Sequence, residues 1–332
     1  MNVSNCTSLI CITTCNRLSE VKKYIFNYIS FCNANKNFHF LLSLDGDSSE
    51  YIDFCTQYSI PLIYSDQREG VGISKNRVVA NFPEFDYYFF IEDDVELIRD
   101  CVFENHIKKS IEKGIPHFSL SKLDHFELFN NSKYCYFTKE NLGFSLFGGA
   151  AFNFFEKSAL LKVGGWHTLF SKYKRYGHTE HTYRFYNIGL SPYPFVFILK
   201  EEKSFIWHDP PHVSKDICNT IENCGIVEDE QKLMQEKLSY FPFEIISPFH
   251  FNGYDMNYNK TVAEFLQKHK KRYPITFGKE RRISLAEYYF GMFLLEKNAF
   301  RKCCYFFRSI LCNPFSNPLK HFIKTKTGIN AN

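Results

Sequence analysis

Three consecutive carboxylates, Glu92-Asp93-Asp94, follow directly on an aromatic and apolar run from Tyr87 to Ile91. Like charges crowded at the end of a buried strand repel one another and desolvate poorly, so such a cluster needs a neutralising cation or open solvent. Hard divalent ions such as Mg2+ and Mn2+ take one or two carboxylates together with the phosphates of a ligand. A metal site is therefore one reading of the triplet, and a solvated loop after a strand is the other. A second acidic group, Asp45-Gly46-Asp47, ends another apolar run but lacks the remaining ligands of a calcium loop. Farther on, Glu180 stands between His178 and His181. A carboxylate beside an acceptor hydroxyl can act as general base, and the two imidazoles titrate near neutral pH. A Glu180–Arg184 pair at i, i+4 on a helix is the competing reading.

These groups are positioned by a regular alternation of elements. Leu9 to Thr14, Phe38 to Leu44, Pro61 to Ser65 and Tyr87 to Ile91 read as short buried strands. Between them lie a helix with Leu18, Val21, Ile25, Tyr28, Ile29 and Cys32 on one face, a helical stretch to Tyr58, and a glycine-containing turn into a helix over 74–81. That order predicts a parallel sheet with right-handed crossovers, whose ligands sit beyond the carboxyl ends of the strands. Thr13, Thr14, Asn16, Arg17, Asp45, Asp47 and the acidic triplet all fall at such ends and should converge. Gly70-x-Gly72 lacks the third glycine of a dinucleotide fingerprint and does not follow the first strand, and no P-loop or GxSxG elbow is present.

Composition narrows the classes. The chain has 332 residues, 45% hydrophobic, which is ample for a globular core plus an appendage. The N-terminal apolar run is too short for a signal segment, and no stretch is long enough to span a bilayer. Twelve cysteines without a CxxC pair read as reduced, buried thiols of a cytoplasmic protein. From Asn257 onward fifteen Lys/Arg face four Asp/Glu, a net of +11, while the remainder nets −7. A basic tail on an acidic body suggests an anionic partner, and the absence of a reader motif points away from nucleic acid towards an anionic membrane surface. A catalytic domain over 1–255 and a basic helical region over 256–332, folded as a hairpin with its Phe residues in the core, are expected.

Thr13-Thr14-Cys15-Asn16-Arg17, Ser43-Leu44-Asp45-Gly46-Asp47, Gly70 to Arg77 and Ile91-Glu92-Asp93-Asp94 together resemble the nucleotide-sugar half of GT-A-fold glycosyltransferases, especially the family-2-like group. The resemblance covers roughly Ser8 to Pro211. It implies a Rossmann-like, mostly parallel α/β sheet flanked by helices, with the C-terminal helices outside it. It implies that Thr13, Thr14, Asn16, Arg17, Asp45 and Asp47 hold the nucleotide of a UDP-sugar. Gly72, Lys75, Asn76 and Arg77 would lie along the donor, and Asp94 with Asp93 would hold Mn2+ or Mg2+ on the diphosphate. A histidine from the Trp207–Val213 segment, His208 before His212, would complete the metal shell. Ser158 to Trp166 resembles the family's acceptor side. The usual Glu-Asp pair before Arg184 is missing, and Glu180, with His181 and His178 as alternatives, is expected as the base. The implied reaction is inverting transfer to a glycan or lipid-linked acceptor in surface polysaccharide or lipopolysaccharide synthesis, at the inner face of the membrane. A sugar nucleotidyltransferase and a catalytically inactive sugar-nucleotide-binding protein are the alternatives.

Overall fold

The structure is a computed structural model that describes residues 6–120, 135–137, 141–145, 148–149, 151–173, 177–208, 240–252, 293, 298–312 and 314. Its first half alternates as expected: β1 (Ser8–Thr14), α1 (Leu18–Ala34), β2 (Phe38–Leu44), α2 (Ser49–Gln57), β3 (Leu62–Ser65), α3 (Val71–Asn81) and β4 (Tyr87–Glu92). A short β5 (Val95–Leu97), α4 (Cys101–Lys113) and β6 (His117–Leu120) follow, then β7 (Cys135–Phe137), β8 (Leu142–Ser145) and β9 (Phe152–Glu156). The rest comprises α5 (Lys157–Val163), α6 (Thr168–Tyr173), α7 (Gly177–Asn187), β10 (Phe195–Ile198), a 3-10 turn (Leu199–Ser204), β11 (Phe205–Trp207), β12 (Phe249–Asn252) and α8 (Ala299–Cys312).

Seven strands form the main sheet in the order β12-β3-β2-β1-β4-β9-β6. β3, β2, β1 and β4 run parallel, while β9 and β12 are antiparallel to their neighbours. The sheet is thus mostly parallel, as the resemblance implies. Successive strands step from β1 through β2 to β3, and the chain then returns to place β4 on the other side of β1. That reversal opens a crevice at the carboxyl ends of β1 and β4, where ligands bind in open α/β sheets. Two further small sheets are β10-β8-β7 and β11-β5.

Period-two alternation divides the sheet's side chains between two cores. Ile10, Ile12, Leu42, Phe89 and Ile91 pack beneath α1, α2 and α4. Leu9, Cys11, Leu41, Tyr88 and Phe90 pack on the opposite face with residues of α3, α5 and α7. α1 has the stripe expected of a surface helix, with Val21, Tyr24, Ile25, Tyr28, Phe31 and Cys32 buried. α3 differs, being buried from Gly72 to Asn81 although it carries Ser74, Lys75, Asn76, Arg77 and Asn81. A polar helix enclosed on all sides must satisfy its side chains inside the protein.

The expected boundary near residue 255 and, apart from Phe293, the first helix of the hairpin lie outside the described residues. In α8, Phe306 packs against Phe293 at 5.1 Å. Phe300 and Phe307, expected in a core, are instead exposed. Ahead of β9, a Cβ on Gly148 would lie 2.7 Å from the rings of Phe195 and Phe197.

Candidate functional site

The acids after β4 converge on a cation of the chain itself. Nη1 of Arg17 lies 3.0 Å from Oδ1 of Asp93 and 3.0 Å from Oδ2 of Asp94. The hydroxyl of Thr14, the last residue of β1, donates to Oδ2 of Asp93 at 2.6 Å. Tyr51 from α2 completes the frame: its hydroxyl lies 2.8 Å from that of Thr14 and accepts the Arg17 N–H at 3.0 Å. Asn16 bends the chain between them with a left-handed φ of 55° and an exposed side chain. Thr13 donates to the Ile91 carbonyl and so ties β1 to β4. Burial raises the Asp93 carboxyl, while Thr14 and Arg17 oppose the shift. Burial and the charge of Asp94 push Glu92 up to about 7, against the pull of Lys75.

Asp45, expected on the nucleotide, holds a loop instead. Its carboxylate accepts N–H bonds from Glu69 at 2.7 Å and Gly70 at 2.9 Å, with Arg68 at 3.7 Å. Asp47 is exposed at the rim. The three polar residues expected along the donor all point inward. Lys75 is 3% exposed, over the rings of Phe90 and Trp166 at 5.7 and 5.6 Å. Asn76 clamps Trp166, accepting its N–H at 2.7 Å and donating to its carbonyl at 2.9 Å. Arg77 pairs with Glu69 at 2.7 Å and donates to the Leu44 carbonyl at 3.3 Å. Gly72 is required by packing, since a Cβ there would strike Oγ of Ser171 in α6. The physical reason is common to all four: α3 is enclosed, so these side chains build the wall behind the crevice.

The expected base is likewise engaged. Glu180 is 3% exposed and meets Arg184 twice, at 2.6 Å to Nε and 3.0 Å to Nη2. Arg184 in turn donates to the carbonyls of Val163 and Gly165. Burial raises the Glu180 carboxyl and Arg184 pulls it back. The i, i+4 spacing on α7 thus produces a buried ion pair rather than an accessible base. His181 stacks on Trp166 at 4.2 Å and its Nε2 contacts the Gly164 carbonyl at 2.9 Å. Burial holds it well below its ordinary value, and His178 is lowered to about 4 by burial and by Lys75. These residues secure the Val163–Trp166 turn.

His208 comes close to the acids through its backbone. β11 pairs with β5, and the His208 N–H donates to the Asp94 carbonyl at 2.9 Å. Its ring turns away, stacking on Tyr24 at 4.3 Å with Nε2 2.9 Å from Glu96. His212 lies outside the described residues. Among the described residues no group of three or more His, Cys, Asp and Glu side chains is placed to hold a metal ion. Asp93 and Asp94 nevertheless fit one as a pair: two hard oxygen donors aim at one point, and a divalent ion can draw its other ligands from phosphate and water.

Sequence reasoning missed Tyr51, Arg68 and Glu69. Glu69 joins two segments, with Oε2 on Arg77 and Oε1 accepting the Ser247 N–H at 2.7 Å. Arg68 leaves a half-exposed guanidinium beside Asp45 and Gly46 at the rim. The run of charge in Asp66-Gln67-Arg68-Glu69 just before Gly70 was the available signal. Tyr51 gave none, because its hydroxyl matters only through contacts 34 and 37 residues away.

A scan against protein-family models finds no match, and a search of curated proteins finds none. Among solved structures, the chain is similar to the mannosyltransferase PcManGT from Pyrobaculum calidifontis in complex with GDP-Man and Mn2+. That likeness has 12% identity and a TM-score of 0.47, covering 93% of this chain and 87% of that one. TarS 1-349 from S. aureus is similar at 10% identity and TM-score 0.47, over 96% and 92% of the two chains. Glucosyl-3-phosphoglycerate synthase from Mycobacterium tuberculosis, in complex with Mn2+, UDP and phosphoglyceric acid, is similar at 10% identity and TM-score 0.45, over 70% and 79%. Similarity at this level carries no argument about the chemistry of this chain.

Proposed function

We propose that this chain is a GT-A-fold, family-2-like glycosyltransferase that moves a sugar from a UDP-sugar to a hydroxyl of a glycan or lipid-linked acceptor. The observation that carries the reading is the convergence of Asp93 and Asp94 on Arg17 at the crevice between the ends of β1 and β4. Two carboxylates and a guanidinium at such a switch point suit a diphosphate and its divalent cation. Mn2+ or Mg2+ held by Asp94 and Asp93 would neutralise charge on the departing diphosphate. Arg17, displaced from the acids, is placed to bind phosphate oxygens. Thr14 and Tyr51 keep Asp93 oriented, and the exposed Asn16 and Arg68 flank the opening where the nucleotide would lie. The acceptor oxygen bonds to the anomeric carbon as the carbon–oxygen bond to the diphosphate breaks with inversion. The electron pair leaves with UDP, and the proton of the acceptor hydroxyl passes to solvent water. We place the reaction at the cytoplasmic face of a membrane, in surface polysaccharide or lipopolysaccharide synthesis, on the strength of the basic tail.

The bidentate Glu180–Arg184 pair favours a second reading, donor binding without turnover. One experiment separates them. Nucleotide sugars are screened by thermal shift with and without Mn2+, and UDP release is then followed for the donors that raise the melting temperature. Metal-dependent release that disappears in Asp94→Ala supports the transferase. Tight binding with no release across a panel of acceptors supports the binding protein.

A further inference from the structure

The outward face of α8 is the most exposed apolar surface among the described helices. Phe300, Phe307 and Leu311 are 78%, 63% and 83% exposed. Spacings of seven and four residues put all three on one stripe, with the exposed Cys303 beside them. The opposite face is anchored: Ser309 is buried, Phe306 packs on Phe293, and the Lys302 ammonium lies over the Phe293 ring at 5.3 Å. The stripe is therefore presented outward by a helix held from behind. Exposed Arg301 and Arg308, also seven apart, run along its edge. From Ala299 to Asn332 the chain has six Lys/Arg and no Asp/Glu. No described helix is long and apolar enough to cross a membrane.

We propose that α8 docks this chain on an anionic lipid bilayer, lying in the plane of the interface. Phe300, Phe307 and Leu311 enter the boundary between headgroups and acyl chains, and Arg301 and Arg308 sit among the lipid phosphates. Charge selects lipid over a second copy of the chain. The sequence of α8 holds Arg301, Lys302 and Arg308 and no Asp or Glu, so two such helices face to face would set like charges together, whereas anionic headgroups complement them. The docking itself does not require the transferase reading. Only its consequence, presentation of a lipid-linked acceptor to the crevice, rests on that reading.

The test is flotation of the full chain with vesicles of equal parts phosphatidylglycerol and phosphatidylcholine, against phosphatidylcholine alone. The wild type should float with the anionic vesicles only. The triple variant Phe300→Ser/Phe307→Ser/Leu311→Ser and the double variant Arg301→Glu/Arg308→Glu should each bind them at least about tenfold more weakly. Melting temperature and UDP release in lipid-free solution should be unchanged in the triple variant, because its three side chains are exposed. Equal flotation of wild type and triple variant overturns the proposal, as does a wild type that stays with the soluble fraction. A wild-type dimer by light scattering that the triple variant turns into a monomer, with no lipid bound, assigns the stripe to self-association. Lipid binding as expected with no UDP release leaves docking standing and removes the transferase reading.

Discussion

Arg17 lies where a divalent cation would be drawn, and this makes the site's metal response open to a single-residue test. Asp93 and Asp94 are each within 3.0 Å of its guanidinium, so metal and Arg17 compete for the same oxygens. Replacing Arg17 with Met should enlarge the rise in melting temperature that Mn2+ produces, and Asp94→Ala should abolish it. Equal shifts in wild type and Arg17→Met would place the ion elsewhere. Glu180 calls for a different measurement. Removing one partner of a buried ion pair leaves an uncompensated charge, so Glu180→Ala should lower stability by roughly 3 to 5 kcal/mol in urea denaturation. A stable Glu180→Ala protein that had lost only UDP release would return Glu180 to the role of base.

The elements around the crevice were legible in sequence to different depths. β2 begins and ends where its apolar run does, and its residues from Leu41 to Leu44 are all buried. α3 begins at Val71, three residues ahead of the helix read from the pattern. The acidic triplet was legible because crowded carboxylates are rare at a strand end. The directions of Lys75, Asn76 and Arg77 were not. An Asn, an Arg and a Lys read alike whether they face a ligand or a carbonyl, and only the packing of α3 beneath the Gly164–Ser171 segment decides. That packing is testable. Asn76→Ala strips both backbone groups of Trp166 of their partner and should cost about 2 to 4 kcal/mol, with faster hydrogen exchange at the Trp166 amide. Gly164, at φ +83° with the Phe241 carbonyl against its Cα, should tolerate Ala still less.

At the scale of the whole molecule, buried imidazoles set the response to acid. Burial holds His106, His117, His167 and His178 down at about 4, and His181 is also lowered. An unfolded chain protonates its histidines near 6.5. Between those values the unfolded state binds the extra protons, so this stability is complete above about pH 6.5 and is lost as pH falls towards 4. Glu92, raised to about 7, acts in the opposite sense, with Asp93 and Glu180 shifted the same way. With His39 also lowered and Glu84 also raised, six imidazoles against four carboxyls give the histidines the sign. The urea midpoint should fall between pH 7 and pH 5, and His106→Leu should make the fall shallower. His106 suits the test because its ring nitrogen bonds only the Val102 carbonyl, within α4.

The place of β12 in the sheet bears on how the chain is made. β3 is covered on its outer edge by Phe249–Asn252, and Asp66 meets His250 across 184 residues of sequence. During synthesis from the N-terminus, β3 emerges long before the strand that closes it. Until residue 252 has left the ribosome, a run of unpaired backbone N–H and C=O groups stands open to any extended segment nearby. A nascent chain stalled short of that point exposes a sticky strand edge, and is the form in which a ribosome-associated chaperone has most to protect.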